Sequence, residues 1–154
     1  MVLLRISLLF MALIFSGCAT TETRVQAEYA PSDDDTFSIE IKNTANATET
    51  ALTVFESQLS THDSVLHTGK PNPSRLVTIE FTKYTARNPT ERVLAGAMAG
   101  SDTVSTFTMV QDAETGEVLG MVNHDTRNST AVEGINSLLR THADKVVEYL
   151  VPPL

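Results

Sequence analysis

One cysteine and four histidines are the side chains with which this chain of 154 residues could do covalent or metal chemistry. A thiol can be acylated, oxidised to a disulfide or bound to a metal. With Cys18 alone, an internal disulfide and a cysteine-rich zinc site are excluded. A metal site needs several ligands converging at helical or cross-strand spacing. His62, Asp63 and His67 are close in sequence but read as a solvated loop. His124-Asp125 reads as a loop leading into a helix, and His142 as a helix residue at a packing edge or the surface. Asp33-Asp34-Asp35 reads as solvated charge. No metal and no cofactor is therefore expected. Serines are frequent, but there is no Gly-x-Ser-x-Gly elbow and no glycine-rich phosphate loop with a lysine. A Ser/His/Asp triad is a spatial arrangement and stays open at this point. The expectation is a protein that is not an enzyme.

The setting of Cys18 gives its thiol a role. Residues 1–5 carry one positive charge, on Arg5, and Ile6 to Phe15 is apolar apart from Ser7. A membrane-spanning helix needs about 20 apolar residues. This run is half as long and fits the apolar region of a signal peptide. Phe15-Ser16-Gly17-Cys18 then resembles the bacterial lipobox: apolar, small, small, cysteine. The resemblance implies acylation of the Cys18 thiol and cleavage between Gly17 and Cys18, making residues 1–17 a signal peptide. Phe15 departs from the commoner leucine. Two or three acyl chains hold a protein to a bilayer stably, whereas one does so only marginally. Ala19, in place of an aspartate, implies by the same resemblance the periplasmic face of the outer membrane over the inner membrane.

Residues 18–35 hold only Val25 and Tyr29 as sizeable apolar groups, with no sustained period. The expectation is a flexible, lipid-anchored tether, because such a segment buries too little surface to offset its ordering entropy. From residue 36 to 154 the pattern is that of one domain. Phe37, Ile39 and Ile41 alternate with polar residues as in a half-buried strand. Ala51, Leu52, Phe55 and Leu59 share one face of a helix over 45–61. Val65-Leu66 suggests a short strand. Val77, Ile79 and Phe81 mark the clearest strand, over 76–84. Strands over 104–110 and 118–122 flank the turn Asp112–Glu117 and predict a β-hairpin. Thr130-x-x-Glu133 suggests a capping box for a last helix carrying Val132, Ile135, Leu139, Ala143, Val146 and Leu150. The predicted class is α+β, a single domain whose mainly antiparallel sheet carries two helices on one face, in the order β-α-(β)-β-β-β-α.

Leu94–Ser101 is rich in small residues, and Gly96 and Gly100 have the small-x-x-x-small spacing. About eight uncharged residues are too few to cross a bilayer. A close-packed turn, the start of the next strand, or a contact surface of Gly96, Gly100 and Ser101 remain as alternatives. The order Gly-Ala-Met-Ala-Gly-Ser over 96–101, a Thr/Val-rich strand, Asp112-Ala-Glu-Thr-Gly-Glu117 and then Val118-Leu-Gly120 resembles a group of small bacterial lipoproteins. They are classed as a domain of unknown function. The resemblance spans roughly residues 75–125 and implies one envelope domain with no established catalytic residue.

The formal charge is −8. Loss of residues 1–17 removes Arg5 and leaves 10 basic and 19 acidic groups, a net of −9. An acidic chain with no run of Lys/Arg does not suit a phosphate backbone, so no nucleic-acid partner is expected. The sequence points to a lipoprotein anchored through Cys18 that binds another envelope protein or polymer without catalysis. A small-ligand carrier or sensor with a pocket near Gly96–Ser101, and an envelope hydrolase, are the alternatives.

Overall fold

The computed structural model describes residues 19–88, 100–128 and 134–153. Cys18, Gly96, Thr130 and Val132, and with them the cleavage site and the capping box, lie outside the described residues. Among the described residues, five strands and three helices follow one another: β1 (Thr20–Ala27), β2 (Phe37–Asn43), α1 (Glu49–Ser60), α2 (Asp63–Leu66), β3 (Arg75–Thr85), β4 (Asp102–Asp112), β5 (Val118–Asn128) and α3 (Ile135–Leu150). The strands form one open sheet in the order β1-β5-β4-β3-β2. All pairings are antiparallel except β2 with β3. The class is α+β, as the sequence predicts.

Period-two alternation places the core. Phe37 of β2, Val77, Ile79 and Phe81 of β3, and Val104 and Val110 of β4 are buried on one face. A parallel pair needs a crossover, and α1–α2 supplies it between β2 and β3. Asn43 ends β2 and grips Ala47 from both sides: its amide donates to the Ala47 carbonyl, and its oxygen accepts from the Ala47 N–H, each at 2.8 Å. Thr48 then caps α1, accepting from Ala51 N–H at 3.2 Å. This helix turns Ala51, Phe55 and Leu59 inward, and Phe55 meets Phe81 edge-on at 4.9 Å. In α3, Leu138, Leu139, Ala143, Val146, Val147 and Leu150 are buried against the same face. The described helices cover that face.

Two expectations are corrected. The segment 18–35 is not a tether over its described residues. Thr20–Ala27 pair with β5, from Thr20 opposite Arg127 to Ala27 opposite Met121. Backbone pairing does not need an apolar period, and the Tyr149 hydroxyl adds a hydrogen bond to the Ala27 carbonyl at 2.9 Å. Beyond the strand, Tyr29 and Asp35 are buried and hydrogen-bonded to each other. Arg75 then bridges Asp35 (2.9 Å) and Asp112 (3.0 Å), so one of the three consecutive aspartates is a structural partner and not solvated charge. The second correction is Val65-Leu66. It belongs to the helical turn α2, which inserts Leu66 fully into the core and ends at His67 with a left-handed φ of 47°.

The predicted hairpin forms. Asp112 Oδ1 accepts from the Glu114 and Thr115 N–H groups, and Gly116 takes a φ of 73°. A few residues on, Gly120 lies where Tyr29 and Tyr149 cross β5. A Cβ there would run into the Tyr149 hydroxyl and Tyr29 Cβ, and would sit 3.1 Å from Tyr29 Cα. Gly120→Ala is expected to lower stability by about 1–3 kcal/mol. Urea unfolding would show it as a lower midpoint with an unchanged slope. An unchanged midpoint would mean that the two tyrosines give way freely.

Candidate functional site

The four histidines lie in two places. The first is a polar seam in the core. Strand β5 runs on to Asn128, six residues past the predicted end, and its inward positions are Val122, His124, Thr126 and Asn128. His124 is therefore a strand residue, not a loop residue. His142, on α3, is fully buried above it. Their rings lie 6.1 Å apart, edge to face.

Threonines supply the partners. The Thr106 hydroxyl is 2.9 Å from His142 Nε2, and the Thr126 hydroxyl is 2.7 Å from His142 Nδ1. A neutral imidazole has one donor and one acceptor nitrogen, so one threonine accepts from it and the other donates. Thr21 of the edge strand continues the chain to Thr126 at 2.9 Å, and Thr23 reaches His124 Nδ1 at 3.2 Å. His124 Nε2 and the Thr108 hydroxyl are buried without a hydrogen-bond partner among the described residues. Burial disfavours the imidazolium of both rings. It lowers His142 to about 3 and His124 to about 4, with Glu148 opposing the shift at His124. Both are neutral at pH 7. Their nitrogens are engaged inward or sealed, so the seam is structural polarity and not a base facing substrate. The sequence carries one trace of it: the inward period of β5 continues through polar residues.

The second place is a groove of about 730 Å³ between α2, α3 and residues 32–37. Phe37, Val65, Val147 and Leu150 form apolar walls, and Ser64, His67 and Asp33 reach its margin. His62 Nε2 lies 3.0 Å from Asp144 Oδ1, which also accepts from the Gln58 amide at 2.8 Å. His62 is therefore tied to α3, not solvated in a free loop. A His–Asp pair beside a serine has the composition of a triad, but Asp144 occupies His62 Nε2 and the serine is not joined to the ring. Among the described residues, no three His, Cys, Asp or Glu side chains are placed to hold a metal.

Gly100 and Ser101 sit at the opposite end of the sheet from this groove, before β4. Gly100 takes a φ of 83°, and its carbonyl accepts from Arg87 at 3.0 Å. Arg87 and Asp102 form a buried ion pair there. No described helix is long and apolar enough to cross a membrane.

A family model described as "Domain of unknown function (DUF4410)" matches residues 20–133. Two crystal forms of a PelC dodecamer from Paraburkholderia phytofirmans share the fold. The P6 form has a TM-score of 0.64 at 13% identity, and a single-residue variant in C2 has 0.63 at 14%. Each match covers 88% of this chain and 100% of that one. No curated protein matches the chain.

Proposed function

The chain belongs to the DUF4410 family, and we propose that it is a lipid-anchored envelope protein that works by assembly, binding copies of itself or another envelope component without catalysing a reaction. The observation that carries this is the use of its titratable groups. His124 and His142, the residues best suited to general base work, are buried, neutral and bonded to threonines. The share of the fold held in common with a dodecamer supports self-assembly as the first form of binding to test. Anchoring rests on the lipobox-like Phe15–Cys18, with the periplasmic face of the outer membrane as the address.

Two measurements check the reading. Labelled palmitate should enter the wild-type chain and be absent from Cys18→Ser; a Cys18→Ser chain that still takes up label removes the anchor. Crosslinking in intact cells, followed by pull-down and mass determination, should return multiples of the chain or a defined envelope partner. Persistent recovery of the bare monomer would overturn assembly. The groove at His62 and Asp144 favours a second reading, a carrier of a small apolar ligand. Saturable uptake of a fluorescent apolar probe, lost on Val147→Arg, would support it over the first.

A further inference from the structure

The start of β1 fixes how an anchored domain would meet its bilayer. One residue, Ala19, separates Cys18 from Thr20. Their Cα atoms are therefore at most about 7 Å apart. Thr20 pairs with Arg127 on β5, and antiparallel partners lie about 5 Å apart. A lipid on Cys18 thus holds one particular end of the sheet at the headgroups: the end formed by the start of β1, the close of β5, the start of β4 and the close of β3.

On the sheet face opposite the described helices, near that end, a shallow depression of about 450 Å³ is lined by Arg24, Thr82, Lys83, Ser105, Asp125 and Arg127, among others. The β-bulge between Phe81 and Lys83 turns Lys83 to this face, opposite Ser105. Arg24 is paired with Glu22 at 2.7 Å and Arg127 with Asp125 at 2.7 Å. Lys83 has no ion-pair partner within 4 Å among the described residues. In a chain of net charge −8, this corner carries a surplus cation and two exposed guanidinium groups, while the Thr82 and Ser105 hydroxyls donate to the Ser105 carbonyl and to Asp125. An anionic phosphate oxygen suits that set.

We propose that this depression is a second membrane contact, taking the phosphate of an anionic lipid headgroup in the bilayer that holds the lipid of Cys18. The contact rests on the anchored reading above. It makes the domain lean on the membrane by its open sheet face instead of standing off on a tether.

The test places the full acylated chain in vesicles of phosphatidylcholine, with or without phosphatidylglycerol. A fluorescent label sits at Thr85→Cys, at the near end, or at Glu114→Cys, at the far end, and a headgroup-borne quencher reports proximity. Quenching at the near end should rise by roughly twofold or more when phosphatidylglycerol is added, with no change at the far end. Lys83→Glu/Arg127→Glu should abolish the rise while the lipid still holds the protein on the vesicles. Quenching that ignores phosphatidylglycerol, or a rise that survives the double substitution, overturns the contact. A rise abolished by free inorganic phosphate, but not by chloride at the same ionic strength, assigns the site to a soluble anion and overturns the lipid source. Failure of the anchor is seen separately, as a chain whose mass lacks acyl groups. In that case phosphatidylglycerol-dependent co-sedimentation that Lys83→Glu removes would still uphold the contact, and its absence would end it.

Discussion

Acidification from pH 7 to pH 5 is expected to remove about 3–4 kcal/mol from the stability of this domain. The cause is the buried histidine pair. In the unfolded chain each imidazole titrates near 6.5; in the folded protein burial holds His124 at about 4 and His142 at about 3. Between those values the unfolded state binds more protons than the folded one, so stability rises with pH. The contribution is fully present above pH 6.5 and is lost as pH falls from there toward 4 and 3. At pH 5 each histidine accounts for about 2 kcal/mol of the loss. Asp112 and Asp125, whose carboxyls are held low by Thr115 and by Arg127, lose their contribution only as pH falls through the ordinary carboxylate range and below it. The window from 7 to 5 therefore belongs to the histidines. Urea midpoints at the two pH values measure the loss. In His124→Gln/His142→Gln the slope with pH should flatten, because glutamine offers a donor and an acceptor but does not titrate. A double variant as pH-sensitive as the wild type would show that the rings are not held neutral. A domain of ordinary stability, about 5–15 kcal/mol, survives this loss with little margin.

That seam also marks where the sequence stops being legible. Alternation is readable when the inward residues are apolar, as in Phe37-x-Ile39-x-Ile41 and Val77-x-Ile79-x-Phe81, and both strands form where their pattern places them. The hairpin is readable from turn chemistry alone, since Asp112 and Gly116 need no tertiary partner to favour it. The last helix is readable from its stripe of Ile135, Leu139, Ala143, Val146 and Leu150. Strand β5 past Val122 is not, because its inward positions are His124, Thr126 and Asn128. Those residues tolerate burial only through partners distant in sequence, such as His142 for Thr126, which no local window contains. Strand β1 is hidden for a related reason. Its stability is backbone pairing to β5 plus a line of threonines, and neither leaves an apolar period. The crossover α1–α2 and the parallel register of β2 on β3 depend on Leu66 reaching the core, and a two-residue apolar step gives no sign of that. The candidate groove shares the difficulty: His62 and Asp144 are 82 residues apart.

Asp102→Ala is expected to cost about 3–5 kcal/mol, because it breaks a buried ion pair by removing its carboxylate. Arg87 and Asp102 are 7% and 0% exposed. Asp102 accepts from the Arg87 backbone N–H at 2.7 Å and faces its guanidinium at 3.4 Å. The same guanidinium donates to the carbonyls of Gly100 (3.0 Å) and Asn128 (3.1 Å). One side chain thus ties the close of β3 to the start of β4 and the end of β5. The clamp also constrains Gly100, whose φ of 83° belongs to glycine, and no atom of the described residues lies within 4 Å of where a Cβ would be. Strain in the backbone, and not crowding, is what a substitution there would meet. The clamp is readily separated from a general loss of packing by a double-mutant cycle. Asp102→Ala and Arg87→Met should each be costly, and their combination should cost clearly less than the sum, because both single substitutions remove the same Arg87–Asp102 interaction. Additive costs would mean that the two groups do not stabilise each other. Since this end of the sheet carries Thr20 and Arg127, the clamp also bears on the end that the proposed anchor would hold. An Asp102→Ala chain that still folds at low temperature should lose the phosphatidylglycerol-dependent quenching at Thr85 expected of the proposed contact, as the register of β5 against β4 loosens beside Arg127.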